Sequence, residues 1–201
     1  RLVVNSDGHI GLGTSSPDNT LHLLYSDSQT YNTDIRNAGL QIENNDGTDN
    51  TYAQLHLRAG NSDVYLRGIR EGDNFASLAF LTDNGGGTGD AGEVMRIDSA
   101  GRLLLGHTSD IGIGFRSQIV GTDGNTSSHV QMRFTDSVSG PQIALGKSRN
   151  GTPGSNTIVQ DDDVLGTLQW RGDDGTDYLS QAAAIQCKVD GTPGSNDMPG
   201  R

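Results

Sequence analysis

Arg1-Leu-Val-Val-Asn-Ser-Asp-Gly-His-Ile-Gly-Leu-Gly13 and, 93 residues later, Val94-Met-Arg-Ile-Asp-Ser-Ala-Gly-Arg-Leu-Leu-Leu-Gly106 are two copies of one pattern. Gly8 aligns with Gly101, Ser6 with Ser99, Asn5 with Asp98 and Gly13 with Gly106. Apolar residues alternate at Leu2, Val4, Ile10 and Leu12, and again at Met95, Ile97, Leu103 and Leu105. Alternation puts each set on one face of a strand, and two such runs around a short polar turn with Gly read as a β-hairpin. Gly8 and Gly101 supply the left-handed backbone that such turns need. The eight apolar side chains are expected to face the interior.

Working outward, the intervening segments repeat more weakly. Ala53-Gln-Leu-His-Leu57 is similar to Val130-Gln-Met-Arg-Phe134, and Ser77-Leu-Ala-Phe80 to Thr167-Leu-Gln-Trp170. Asp83-Asn-Gly follows the first of the latter pair and Asp173-Asp-Gly the second. Asn150-Gly-Thr-Pro-Gly-Ser-Asn156 returns as Asp190-Gly-Thr-Pro-Gly-Ser-Asn196. Further alternating runs are Val64/Leu66, Ile143/Leu145 and Ile185/Cys187/Val189, while only Gln181-Ala-Ala-Ala184 hints at a helix before it too alternates. The pattern therefore predicts short strands throughout, divided as a hairpin repeat over 1–24, a β-rich segment over 25–92, a second hairpin repeat over 93–112 and a second β-rich segment over 113–201.

Composition constrains how such strands become stable. The 201 residues include 29 glycines, about twice the usual roughly 7%. Leu, Ile, Val and Phe make up only about a fifth of the chain, close to the level at which chains stay disordered. Apolar burial contributes roughly 25 cal/mol per Å², which in so thin a core is set against backbone entropy of about 1–2 kcal/mol per residue. Thin composition with strict patterning points to a core shared between chains. The formal net charge of −11 argues against duplex nucleic acid as a partner, and the short apolar runs argue against membrane insertion. A single cysteine, Cys187, excludes an intrachain disulfide framework. The chain opens at Arg1 without Met and both ends fall inside patterned segments, as expected of a portion of a longer polypeptide.

Met95-Arg-Ile-Asp-Ser-Ala-Gly-Arg-Leu-Leu-Leu-Gly106 resembles an element found repeatedly in bacteriophage tail-fibre and tail-spike proteins, especially of marine phages. Val4 to Pro17, ending Leu-Gly-Thr-Ser-Ser-Pro, resembles a second copy with its usual ending. Leu165 to Gly175 and Asp190 to Arg201 are similar to segments that precede that element, so the resemblance covers about half the chain. It implies an all-β fold of short-strand β-hairpin repeats stacked along a fibre axis and intertwined as a homotrimer. The implied function is structural: a rigid shaft in the virion, outside the cell, for host attachment. The implied partners are the chain itself, other tail or baseplate proteins and a host surface glycan or receptor. The alternatives are a glycan-binding or depolymerising tail spike and a bacterial extracellular filament or adhesin.

Chemistry-bearing residues are weighed against plainer roles. Asp161-Asp-Asp163, Asp173-Asp174 and Asp46-Gly-Thr-Asp49 could ligate calcium or act as paired carboxylates, but lack calcium-loop spacing. Asp beside Gly is explained by turn formation. His9, His22, His56, His107 and His129 include no His-x-His pair of the kind that holds metal on a threefold axis, and His56, between Leu55 and Leu57, is expected to point outward. Cys187 alternates with Ile185 and Val189, a buried-strand pattern that leaves a thiol inert. Gly85 to Gly89 is followed by no Gly-Lys-Ser/Thr, and Asn125-Thr-Ser127 and Asn150-Gly-Thr152 are chance sequons in a bacterial host. Trp170 aligns with Phe80 and is read as core filling; Tyr25, Tyr31, Tyr52, Tyr65 and Tyr178 are too scattered for a sugar platform. No catalytic, cofactor-binding or metal residue is assigned, no cofactor is expected, and the chain is read as non-enzymatic.

Overall fold

The computed structural model describes residues 2–24, 40–85 and 91–201. The readings that fall on Tyr25, Tyr31 and 86–89 lie outside these residues. All regular structure among them is β: β1 (Leu2–Val4), β2 (Ile10–Leu12), β3 (Leu21–Leu23), β4 (Tyr52–Ala59), β5 (Ser62–Gly72), β6 (Phe75–Asp83), β7 (Ala91–Ile97), β8 (Leu103–Leu105), β9 (Ser117–Ile119), β10 (Val164–Arg171) and β11 (Gln181–Lys188). They form a three-stranded sheet β1-β2-β3, a six-stranded sheet β4-β5-β6-β7-β8-β9 and a two-stranded sheet β10-β11.

The two aligned stretches fold alike. β1 pairs antiparallel with β2 at Leu2↔Leu12 and Val4↔Ile10, and β7 with β8 at Met95↔Leu105 and Ile97↔Leu103. Gly8 and Gly101 both adopt positive φ, +80° and +74°, as the turn requires. Each pair then gains a third, parallel strand that the alternation did not predict: β3 beside β2, at Ile10↔Leu21, and β9 beside β8, at Leu103↔Ser117. The six-stranded sheet accordingly joins strands from Tyr52 to Ile119.

The third strand explains the repeated glycine at the end of the motif. Gly13 and Gly106 have φ of +84° and +79°, and a Cβ there would fall on the carbonyl oxygen of Leu24 or Val120, just past the third strand. Leu24 N–H donates to Leu12 O at 2.8 Å and Val120 N–H to Leu105 O at 3.0 Å, which draws that backbone close. Only glycine allows both the conformation and the approach.

Two expectations about strands are corrected. Val130–Phe134 and Ile143/Leu145 keep the alternating pattern but form no ladder; Gln131 Nε2 donates to Gln142 O at 2.9 Å, so the segments run side by side without backbone pairing. Met132 and Phe134 stand in solvent, at 69% and 89% exposure, while Leu145 lies against Gly166 of β10. Val130–Phe134 is similar to β4, which is held in a ladder by β5 on a long antiparallel register. Without a completed neighbouring strand, its backbone groups have no ladder partner and its apolar face stays bare.

Candidate functional site

The residues that alternate along the strands line up across them. In the six-stranded sheet one row reads Leu55–Leu66–Phe80–Met95–Leu105–Ile119, one residue from every strand. The row beside it reads Ala53–Gly68–Leu78–Ile97–Leu103–Ser117. The three-stranded sheet presents Leu2–Leu12–Leu23 and Val4–Ile10–Leu21 in the same way. On the two-stranded sheet Leu168 pairs with Ile185, Trp170 with Ala183 and Gly166 with Cys187. None of these positions carries a charge.

These faces are largely exposed, with Leu145 lying against Gly166 on the two-stranded sheet. Of the eight side chains expected inside, seven are exposed, from 39% at Ile10, Leu103 and Leu105 to 66% at Leu2, and Met95 is half-buried. They share a face as the alternation requires; among the described residues Leu40 and Ile42 line a hollow with Ala53, Leu55, Leu66 and Gly68 at the β4–β5 edge of the large sheet. Trp170, expected in the core, is 51% exposed, and Cys187, expected to be buried, is exposed on the same face as Ile185. The buried aliphatic and aromatic side chains among the described residues are Tyr65, Ala79, Leu81, Leu104, Val159 and Val189.

The opposite face of the large sheet is covered by its own polar side chains. Its central row is Gln54–Arg67–Ala79–Arg96–Leu104–Gln118. Arg96 donates to both oxygens of Glu93, at 2.7 and 2.8 Å, and to Glu71 at 2.8 Å, while Ser77 donates to Glu71. Burial disfavours charge on Glu71, but hydrogen bonds from Ser77 and Ser99 and the Arg96 charge outweigh it and hold the carboxyl below its ordinary value. His56 Nε2 lies 2.6 Å from the buried Asp63, and its ring stacks on Tyr65 at 4.4 Å. His56 therefore lies on the polar face, away from Leu55 and Leu57. Arg67 caps this cluster over the Tyr52 ring at 4.3 Å.

The turn of the second copy is held by charge as well as backbone. Asp98 Oδ1 accepts the N–H groups of Ala100 and Arg102, as Asn5 Oδ1 accepts those of Asp7 and His9. Arg102 donates to Asp98 Oδ2 and Asp110 Oδ2, both at 2.7 Å, and Asp110 Oδ1 takes Gln118 Nε2 at 2.7 Å. Asp110 thus ties the β8–β9 loop to both the turn and the third strand.

The acidic clusters act as turn acceptors. Asp163 binds Arg149 through two hydrogen bonds, at 2.7 and 2.9 Å, and accepts the Gln160 N–H at 2.9 Å. These bonds, Arg149 foremost, hold its carboxyl far below the usual range. Asp161 accepts the N–H of Gly191 at 2.7 Å, and Asp162 pairs with Arg201. Asp173 and Asp174 accept N–H groups of Gly175, Thr176 and Asp177, and Asp46 that of Thr48. Among the described residues no three His, Cys, Asp or Glu side chains converge on a metal-sized site. No helix of the described residues is long and apolar enough to cross a membrane. No protein-family model matches the chain, and no curated protein matches it.

Proposed function

We propose that this chain is a segment of a bacteriophage tail-fibre shaft, a non-enzymatic spacer for host attachment that works as a homotrimer, in the virion and outside the cell. The observation that carries the reading is surface area. The chain exposes 15171 Å², whereas a folded monomer of 21.2 kDa exposes about 9,100 Å². The excess, about 6,000 Å² on that same scaling, exceeds what one partner contributes to a standard interface, about 800 Å². Bare aliphatic faces on all three sheets contribute to that excess, as do Val130, Met132, Phe134, Val138 and Ile143 outside the sheets. Pooling them between copies completes the core, and the polar, negatively charged side remains outside and resists adhesion. Physics asks for more than one copy; the resemblance of Met95–Gly106 and Val4–Pro17 to fibre elements supplies the number three and the shaft role.

Sedimentation equilibrium or native mass measurement on the purified chain tests the reading. The expected result is three times the chain mass with cooperative unfolding. A stable, cooperatively folded monomer overturns it. Incubation with host surface polysaccharide is expected to release no oligosaccharide. Turnover that disappears on Asp173→Asn or Asp174→Asn promotes the depolymerising-spike alternative instead.

A further inference from the structure

Asn is followed by Gly at two places, Asn84-Gly85 and Asn150-Gly151, and the two are held differently. At the first, a side-chain turn starts one residue early: Asp83 Oδ1 accepts the Gly85 N–H at 3.0 Å. At the second it starts at the asparagine itself. Asn150 Oδ1 accepts the Thr152 N–H at 2.8 Å, and the Gly151 N–H meets no acceptor among the described residues. Asn150 Nδ2 donates to Thr157 Oγ1 at 3.0 Å and Asn150 N–H to Ser148 Oγ at 3.1 Å, so the asparagine is fixed at both ends beside a free Gly151 nitrogen. We propose that Asn150 is a self-modification site, at which the chain's own Gly151 nitrogen converts the side-chain amide to a carboxylate. The inference stands apart from the fibre reading and needs no reactant other than water.

The step is an intramolecular acyl transfer. Gly151 N gives its proton to water or hydroxide and forms a bond to Asn150 Cγ; the Cγ–Nδ2 bond then breaks and, with a proton from water, ammonia leaves. A five-membered imide remains. Water opens it at one carbonyl to Asp, or at the other to isoaspartate, in which the main chain runs through the side-chain carbon. The Thr152 N–H bonded to Oδ1 faces the oxygen on which negative charge develops as Cγ is attacked. Nucleophile and carbonyl are held in one short loop, which removes the entropy of bringing them together. Gly151 is exposed and a Cβ built on it would meet nothing, so water reaches the loop and no side chain shields the attacking nitrogen.

Two related loops are closed to the reaction. The near-copy over Asp190 to Asn196 already carries Asp in its first position, and its Gly191 N–H is held by Asp161 Oδ1 at 2.7 Å. At Asn84 the bond from Gly85 N–H to a carboxylate must break before the nitrogen can attack, which slows the reaction by roughly tenfold or more.

Ageing the purified chain in mildly alkaline buffer tests the proposal. Trypsin releases each site in one peptide, Glu71–Arg96 and Asn150–Arg171, and mass spectrometry with fragmentation follows amide-to-acid conversion at each asparagine. In the folded chain Asn150 is expected to convert roughly ten times faster than Asn84, or more, giving Asp and isoaspartate forms with release of ammonia. In denaturant, where no turn holds either nitrogen, the two are expected to convert at similar rates. Asp83→Ala releases the Gly85 N–H and is expected to bring Asn84 up towards Asn150, while Gly151→Ala crowds the nucleophile and slows Asn150. Equal rates in the folded wild-type chain overturn the proposal, as does an Asn150 peptide that stays unconverted. So does an Asn84 that stays slow in folded Asp83→Ala.

Discussion

Asp98 and Arg102 close the β7–β8 turn on each other with three hydrogen bonds: Asp98 N–H to Arg102 O at 3.0 Å, Arg102 N–H to Asp98 Oδ1 at 2.8 Å, and Arg102 Nε to Asp98 Oδ2 at 2.7 Å. In the first copy Asn5 and His9 make the same two backbone contacts, at 3.0 and 2.9 Å, without the ion pair. The amide oxygen of Asn thus suffices for the turn, and the carboxylate adds the tie to Arg102. Asp98→Asn is therefore expected to keep the turn and lose no more than about 1 kcal/mol. Asp98→Ala strips the acceptor from two N–H groups and is expected to cost about 1–3 kcal/mol. Denaturant midpoints of the two variants, measured side by side, check the ranking.

Gly106 holds the third strand of its unit in place by having no side chain. Gly106→Ala puts a methyl group against the Val120 carbonyl and strains a backbone at φ +79°. The strain alone is worth about 1–3 kcal/mol, and relieving the clash requires β9 to move off β8. Gly112→Ala, also at positive φ but with open space around it, is the control. The Gly106 variant is expected to lose amide-exchange protection at Val120 and Leu105, and the control is not.

This glycine marks where the sequence stopped being legible. The motif announces two strands by alternation and their turn by Gly8 and Gly101, and those appear where the pattern puts them. The third strand escaped because the spacing changes: Gly13 precedes Leu24 by 11 residues and Gly106 precedes Val120 by 14, so the copies drift out of alignment. Parallel pairing also carries no turn signal of its own. Exposure at Trp170 and Cys187 was hidden for a different reason. Alternation fixes which side chains share a face, but whether that face is covered depends on what packs against it, which a strand's own residues do not encode. The polar network of Arg96, Glu93 and Glu71 was equally silent, since a 25-residue separation between Glu71 and Arg96 becomes a contact only through β6 and β7.

Acid should weaken the fold before base does. Burial opposes the charge on Asp98, but the backbone N–H, side chain and charge of Arg102 outweigh it and hold the carboxyl low. Asp110 is lowered chiefly by Gln118, and Asp163 chiefly by Arg149. Each is depressed relative to an unfolded Asp near 3.9, so each contributes stability that is complete above that value and lost as pH falls through the folded one. Thermal midpoints are expected to be flat above about pH 5 and to fall below about pH 4. Asp98→Asn removes one of these groups and should make the decline shallower. A midpoint that rises on acidification contradicts the assignment.

Val130, Met132 and Phe134 alternate as strictly as any strand in the chain, yet Val130 is 76% and Phe134 89% exposed. An extended segment with an apolar face and unpaired N–H groups is a strand lacking a neighbour, and the similar Ala53–Leu57 shows the paired form within β4. If copies of the chain supply that neighbour, ladder formation and association occur together. Amides of 130–134 and 142–146 are then expected to exchange slowly in the assembled protein, as slowly as those of β4 and β5. Dilution or mild denaturant that dissociates the copies should release these amides first, while β5 and β6, paired on both sides within the chain, stay protected. Fast exchange at 130–134 in intact oligomer would mean that the segment is a surface loop despite its pattern. Phe134→Ser separates the two cases by a second route: it should lower the oligomer's stability by about 3 kcal/mol or more if the ring is buried on assembly, and change it by less than about 0.5 if it is not.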